Sequence, residues 1–200
     1  MEGRALAFTA AVTMSSGVTT NRAVLAPFFT VDPQQLNFGN VDNGFSKKDT
    51  LRVTNTGGAD LIISNITTSD TVFKINATTA TITPGSTQEF YVTFTPWVDG
   101  TKSGTIIFTH NAAKPLDTVT VSGTGTSPFF SGTPTILSFG DVRNGTTKRD
   151  SVTVTNTGTS NLIISNVSSS NSVFTVTPTI DTITPGSSKK FYVTFAPTVD

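Results

Sequence analysis

Few side chains in this sequence could take part in chemistry. There is one histidine, His110, and there is no cysteine. One histidine cannot build a histidine-based metal centre, and a catalytic triad needs further partners arranged around it. Without cysteine, disulfides, thiolate nucleophiles and thiolate metal ligands are excluded. We therefore predict no catalytic residue, no cofactor and no metal site, and we expect that the chain is not an enzyme.

The carboxylates recur in pairs that are too far apart to act together. The pairs are Asp49 with Asp150 and Asp99 with Asp200, and in each the partners are 101 residues apart. Asp42 and Asp49 flank one turn, which leaves a weak calcium site as an alternative. Calcium takes six to eight oxygen ligands, however, and Arg143 stands where a second copy of Asp42 would be.

Two glycine-rich segments, 55–58 and 123–125, have the composition of phosphate-binding loops. A phosphate cradle opens a helix, and no helical pattern follows either segment, so we interpret both as tight turns.

Glycosylation depends on the host. The four Asn-x-Ser/Thr acceptor sequences are at Asn65, Asn76, Asn144 and Asn166.

The spacing of these residues reflects a repeated sequence. Residues 27–99 align with residues 128–200 at a constant offset of 101 residues and without a gap. A period of about 100 residues is typical of whole domains and too long for a solenoid unit. We predict an N-terminal segment (residues 1–26), repeat 1 (residues 27–126) and repeat 2 (residues 127–200).

Each repeat alternates apolar and polar residues as strands do. In 48–55 the apolar side chains Leu51 and Val53 fall two residues apart, and in 90–94 Phe90, Val92 and Phe94 share one face. That period of two indicates strands with one buried face. About seven such strands per repeat predict an all-β fold of tandem immunoglobulin-like antiparallel β-sandwiches.

Repeat 2 is expected to be incomplete. By alignment with residues 101–125, it ends at Asp200 before its last two strands, which in repeat 1 supply Ile106, Phe108, Val119 and Val121. We expect repeat 1 to fold alone, and repeat 2 to be disordered, to aggregate or to borrow strands from a neighbour.

The charge pattern excludes several partners. Lys and Arg number 13, Asp and Glu also number 13, and charged residues make up 13% of the chain. A neutral, charge-poor surface does not gather phosphates or anionic lipids, so no nucleic acid partner is predicted. No apolar run approaches the roughly 18 residues of a membrane-spanning helix. Residues 5–14 have the length of a signal-peptide core. The alternatives are an N-terminal overhang from an incompletely recorded reading frame and the remnant of a preceding repeat.

Two sets of aromatic residues suggest contacts. Phe28 and Phe29 recur as Phe129 and Phe130; each pair either begins the first strand of its repeat or plugs the junction between repeats. Tyr91, Tyr192 and Trp97 are the aromatic candidates for binding a protein or a carbohydrate, although no specific binding residue is predicted.

The combined motifs resemble the ASH/Hydin-type immunoglobulin-like domains, especially those of bacterial choice-of-anchor D surface proteins, with major sperm protein domains as distant kin. The motifs are Leu36-x-Phe38-Gly39, Val53 to Gly57, Leu61-x-Ile63, Pro84-Gly85-Ser86, Phe90-x-Val92-x-Phe94-x-Pro96 and Val121-Ser122-Gly123.

The resemblance implies a non-enzymatic structural or interaction module. The expected role is a stalk or scaffold in a larger exported or cell-surface protein, with neighbouring repeats of the same chain as partners. The alternatives are a protein- or carbohydrate-binding module and, in a eukaryotic host, a ciliary or centrosomal scaffold in the cytoplasm or cilium.

Overall fold

A computed structural model describes residues 25–198. Nearly all of the predicted N-terminal segment, residues 1–24, lies outside the described residues, as does Asp200. The described residues form fifteen strands and no helix. The all-β prediction is therefore confirmed.

Repeat 1 is a sandwich of two sheets. One sheet has the order β1-β3-β7-β5 and the other the order β2-β9-β8-β4-β6. The pairing is antiparallel throughout repeat 1 except between β2 and β9, which run parallel, so the antiparallel prediction was wrong for this one pair. The nine strands are β1 (Phe29–Asp32), β2 (Gln35–Asp42), β3 (Lys47–Asn55), β4 (Leu61–Thr68), β5 (Phe73–Ile75), β6 (Ala80–Ile82), β7 (Thr87–Phe94), β8 (Gly100–His110) and β9 (Leu116–Thr126).

The period-two pattern places one face of each sheet in the core of repeat 1. Leu51 of β3 lies opposite Phe90 of β7, and both are buried. The facing sheet contributes Ile106 and Phe108 from β8 and Val119 from β9, all fully buried. Burying large apolar side chains contributes about 1.5 to 3 kcal/mol each, so these two strands carry much of the stability of repeat 1.

Repeat 2 reproduces one sheet completely and the other in part. Its sheets have the orders β10-β11-β15-β13 and β12-β14. Within residues 127–198 no strand corresponds to β2, β8 or β9. The six strands are β10 (Phe130–Thr133), β11 (Lys148–Asn156), β12 (Leu162–Ile164), β13 (Phe174–Thr177), β14 (Asp181–Ile183) and β15 (Ser188–Phe195).

The irregular conformation of residues 136–143 has a physical cause. In repeat 1 the equivalent strand β2 is paired along its length with β9. Among residues 127–198 no strand equivalent to β9 is present, so the backbone of 136–143 has no ladder to join there. Repeat 1 thus has nine strands and the described part of repeat 2 has six, where about seven were predicted for each.

The two repeats share one aromatic cluster and differ in the rest of the core. Phe73 and Phe94 stack at 4.9 Å between ring centroids, and Phe174 and Phe195 stack at 4.7 Å. Phe38 and Phe139 complete the clusters. Elsewhere the buried core of repeat 2 consists of Val154, Ile183 and Phe191. The phenylalanine cluster is therefore the part of the core that both repeats have in common.

Candidate functional site

His110, the one histidine, has a structural position. Its side chain is buried and stacks on Phe29 at 4.5 Å between ring centroids. Nδ1 accepts a hydrogen bond from the backbone N–H of Ala112, which assigns the proton to Nε2, and Nε2 lies 3.2 Å from a carboxylate oxygen of Asp117. Lys114 also binds Asp117. Both ring nitrogens are occupied by partners within repeat 1, so the ring packs as part of the core.

The two aspartates considered for calcium have separate partners. Asp42 accepts a hydrogen bond from the hydroxyl of Thr126 at 2.7 Å. Asp49 accepts one from the backbone N–H of Thr50. Residues 25–198 contain no group of three or more His, Cys, Asp or Glu side chains that could hold a metal ion. The described residues thus offer no set of carboxylates for a cation.

A buried asparagine holds the entry of the chain into repeat 1. The side-chain oxygen of Asn55 accepts hydrogen bonds from the backbone N–H groups of Phe28 (3.2 Å) and Gly57 (3.0 Å). Its amide nitrogen donates to the carbonyl oxygens of Ala59 (2.7 Å) and Ile82 (2.9 Å). Asn55 is fully buried. One side chain therefore joins the start of β1, the turn after β3 and the end of β6.

Asn156 makes the same four contacts in repeat 2. Its oxygen accepts from the N–H groups of Phe129 and Gly158, and its nitrogen donates to the carbonyls of Ser160 and Ile183. Sequence reasoning treated Asn55 only as a strand stop. The signal that could have revealed this role is an asparagine at the buried end of a strand, where the residue type is uncommon, repeated with a glycine two residues later.

Glycine is required beside each asparagine because the entering chain passes against it. A Cβ atom on Gly57 would collide with the backbone of Ala26 and Pro27, and one on Gly158 with Ser127 and Pro128. Segment 55–58 ends β3 in a bend, which fits the predicted turn, and it fixes where the preceding linker enters repeat 1. The turn prediction was wrong for 123–125, which lies inside β9; glycine is needed at Gly123 because an added Cβ would collide with the ring of Phe94.

Asp99 links the two repeats at their junction. One carboxylate oxygen accepts hydrogen bonds from the amide nitrogen of Asn43 (2.6 Å) and the hydroxyl of Ser127 (2.9 Å). The other accepts from the hydroxyl of Thr159 (2.7 Å). Asn43 belongs to repeat 1, whereas Ser127 and Thr159 belong to repeat 2. One exposed carboxylate thus bridges both sides of the linker.

The same contacts stabilise the ionised form of Asp99. The hydrogen bond from Thr159, followed by that from Ser127, holds the pKa of the Asp99 carboxyl below its ordinary value. Donors that bind the charged form favour it over the protonated form. The junction of the two repeats is therefore coupled to the ionisation of one side chain.

The phenylalanine pairs do not plug this junction. Phe29 is only 8% exposed and packs on Phe108 within repeat 1. Phe129 is 65% exposed and Phe130 is 55% exposed. Phe29 and Phe130 each begin the first strand of a repeat, so the plug alternative is wrong.

The aromatic candidates for binding are exposed. Trp97 is 71% exposed, and Phe45 is also exposed on the same end of repeat 1. Phe45 directly follows Gly44 in the chain, and a Cβ atom added to Gly44 would lie 3.9 Å from the Trp97 ring. Tyr91 and Tyr192 are covered in part by cations, with Lys48 over the first ring and Arg149 over the second.

An apolar groove of about 310 Å³ opens between the two sheets of repeat 2. In repeat 1 the equivalent space is closed by β8 and β9. The groove is lined by Phe130, Val152, Val154, Ile164, Asn166, Val167, Val176, Phe191 and Val193.

Comparison with protein families assigns both repeats. The model of the HYDIN/CFA65/VesB-like immunoglobulin-like domain matches residues 27–124 and again residues 128–199. The chain belongs to this family. The resemblance to ASH/Hydin-type domains inferred from the motifs is confirmed. Both HYDIN-like repeats of this chain contain the buried asparagine with its four hydrogen bonds (Asn55 and Asn156, here called the asparagine clamp) and the phenylalanine cluster.

Solved structures similar to this HYDIN-like chain come from varied sources. A protein of unknown function from Porphyromonas gingivalis W83 is 18% identical, with a TM-score of 0.44, and the match covers 84% of this chain and 83% of that one. The ASH/PapD-like domain 7 of human CEP192 is 10% identical with a TM-score of 0.45, over 62% of this chain and 97% of the other.

The Vibrio cholerae VesB protease matches 48% of this chain and 31% of its own length, at 15% identity and a TM-score of 0.39. Identities this low say nothing about what the HYDIN-like chain does.

A search of curated proteins finds no match. Residues 25–198 contain no helix long and apolar enough to cross a membrane. At the coarse level, these HYDIN-like repeats are structural or binding modules.

Proposed function

We propose that this chain is a non-enzymatic segment of a stalk or scaffold, in which HYDIN-like repeats are held at a fixed mutual angle within a larger exported or cell-surface protein. The observation that carries the proposal is the Asp99 bridge. A flexible linker would leave the polar groups of adjacent repeats free to solvent, whereas here one carboxylate accepts three hydrogen bonds from both sides.

The neutral composition supports the same role. With equal numbers of acidic and basic residues, the surface neither steers nor concentrates a charged ligand. The partners expected in this role are the neighbouring repeats of the same chain. The location outside the cell, or at its surface, belongs to this proposal.

Small-angle scattering of the 200-residue chain tests the proposal. A stalk segment should give a rod-like profile that fits the structure with one inter-repeat angle. A profile that requires a broad distribution of angles would contradict the stalk. Turnover of a substrate that persists through purification and is lost in His110→Ala would contradict the non-enzymatic part.

A second candidate function is binding of a protein or carbohydrate at the Trp97 surface. Trp97 and Phe45 are both exposed large apolar residues, and Thr198 and Thr146 occupy these positions in repeat 2. Such rings present flat apolar faces that stack on sugars or other rings. A glycan array with Trp97→Thr as the matched control, and loss of any signal only in the variant, would favour this function over the stalk.

A further inference from the structure

A polar cleft of about 540 Å³ lies between the two repeats. Its wall on repeat 1 is the end of β2 and the turn that follows, with Asn40, Asp42 and Phe45. Its wall on repeat 2 includes Asn161, in the turn after β11, and Pro185, in the turn before β15. The volume lies within the roughly 300 to 1,000 Å³ of small-molecule sites, which occur preferentially where two domains meet.

The cleft shares side chains with the junction. Thr159 lines it and donates its hydroxyl hydrogen bond to Asp99. Thr126 also lines it and donates to a carboxylate oxygen of Asp42 at 2.7 Å. The contacts that fix the angle between the repeats therefore also fix the separation of the two walls. A site preformed in this way loses little conformational entropy when a ligand binds.

The wall on repeat 2 is a surface that a complete sandwich also leaves open. Thr159, Asn161 and Pro185 are exposed. Repeat 1 contains β8 and β9, and there the counterparts of these three residues are exposed as well. Those counterparts are Gly58, Asp60 and Pro84. Among the described residues, none lines both this cleft and the apolar groove of repeat 2.

The charges at the cleft select against ionic ligands. Of the described residues that line it, Asp42 alone is charged. An anion would be repelled by Asp42 and by the carboxylate of Asp99 at the same junction. Residues 25–198 also lack a group of three or more side chains that could hold a metal ion. The cleft therefore favours a neutral ligand.

The uncharged groups of the lining match the surface of a sugar. Phe45 is 70% exposed, and its ring offers a flat apolar face to the C–H groups of a sugar ring. The amides of Asn40 and Asn161 supply both donors and acceptors for hydroxyl groups. The hydroxyl oxygen of Ser160, also in the lining, is buried and has no hydrogen-bond partner among the described residues. Such unpaired groups are uncommon, and a ligand with hydroxyl groups would supply the partner.

The lining also differs from the equivalent positions of the other repeat. Phe45 corresponds to Thr146, and Ser160 corresponds to Ala59. Of the lining residues that have a counterpart at offset 101, Pro185 alone keeps its residue type. The strands and turns around them are largely identical between the repeats. The side chains of the cleft are thus particular to this junction.

We propose that the cleft between the repeats binds a neutral carbohydrate, with the Phe45 ring against a sugar face and with Asn40, Asp42 and Asn161 at its hydroxyl groups. The inference rests on the fixed angle of the proposed stalk, because each repeat supplies one wall. It differs from binding at the Trp97 surface, since Trp97 is not among the described residues that line the cleft.

An array of neutral oligosaccharides, probed with the 200-residue chain labelled on its lysines, tests the site. Phe45→Thr and Asn161→Ala each change one wall, and Trp97→Thr is the matched control. We expect binding to weaken at least about tenfold in Phe45→Thr and about two- to tenfold in Asn161→Ala. Trp97→Thr should bind as the unmodified chain does, and sialylated or sulfated forms of the same glycans should bind more weakly. Hydrogen exchange at 90–94 verifies that repeat 1 stays folded in each variant.

Three results would overturn the proposal: no neutral glycan is retained, acidic glycans are preferred, or Trp97→Thr weakens binding as much as Phe45→Thr. Retention on a peptide array without any bound glycan would identify a protein partner and overturn the carbohydrate assignment too. Spin-label distances between the repeats separate these failures from failure of the stalk. A narrow distribution without glycan binding contradicts the cleft alone, whereas a broad distribution contradicts the stalk and the two-walled site together.

Discussion

The carboxylate of Asp99 in repeat 1 accepts a 2.7 Å hydrogen bond from the hydroxyl of Thr159 in repeat 2. The position equivalent to Thr159 in repeat 1 is Gly58, which has no hydroxyl to donate. The bond is therefore a property of this junction and not of the repeat as such.

The first prediction concerns the angle between the repeats. Replacing Thr159 with Gly, the residue found in repeat 1, removes the donor from the side of repeat 2, and Asp99→Ala removes the acceptor. Each should broaden the distribution of distances between spin labels placed on the two repeats. Glu89→Ala, which removes an exposed ion pair with Arg52 inside repeat 1, is the control, and it should leave the distribution as it was.

The second prediction is a pH dependence of the same distribution. The pKa of Asp99 is lowered in the folded protein by Thr159 and Ser127, whereas an unpaired aspartate has a pKa of about 3.9. A lowered folded pKa means that the stabilisation is present above about pH 3.9 and is lost as the pH falls through the folded value. The label distances should broaden in that acidic range and not between neutral pH and pH 5.

Two controls separate this effect from general acid unfolding. In Asp99→Asn the broadening should already be present at neutral pH and change little with acid. Lys189 lowers the pKa of Asp181 within repeat 2, so a second pair of labels inside that repeat must report whether the repeat itself loosens. Broadening that occurs equally within repeat 2 would contradict a specific role of Asp99.

The sequence predicted the sandwich because the core follows a local pattern. Phe90, Val92 and Phe94 fall on one face at a period of two, and the structure buries all three. The parallel pairing of β2 with β9 was not predictable in the same way. Side-chain alternation is identical in parallel and antiparallel strands, so direction depends on contacts between residues about 85 positions apart.

The candidate site was harder to predict than the fold. The alignment identified Asp99 only as one of a recurring pair, because its three donors come from separate loops that meet at the junction. The buried role of Asn55 was missed since asparagine followed by glycine is also the ordinary signature of a turn. Here Asn55 both ends β3 and holds the entry of the chain through its buried side chain.

The third prediction tests the asparagine clamp. Asn55→Ala leaves the carbonyl of Ile82 without its buried donor and two backbone N–H groups without their acceptor. An unsatisfied buried group costs about 1 to 3 kcal/mol, so the free energy of unfolding of repeat 1 should fall by at least that much in urea denaturation. Asn76→Ala, which alters an exposed hydrogen bond to Tyr91, should cost less. Equal losses would contradict the clamp.

The fourth prediction compares two equivalent phenylalanines. Phe29 and Phe130 occupy the same position in the two repeats, but their exposed fractions are 8% and 55%. Phe29 packs on Phe108 and stacks on His110, side chains that come from β8. Because the described part of repeat 2 has no such strand, Phe130 lies instead at the rim of the open groove.

Phe29→Ala should therefore lower the free energy of unfolding of repeat 1 by about 3 to 5 kcal/mol, the usual cost of truncating a buried aromatic ring. Phe130→Ala should change that of repeat 2 by about 1 kcal/mol or less in dilute solution, since little apolar area leaves contact. Hydrogen exchange at 51–54 and 152–155, the strands paired with each ring, measures both in one sample. If Phe130→Ala were as costly as Phe29→Ala, the groove would already be filled in the isolated molecule, and the difference between the two repeats described here would be wrong.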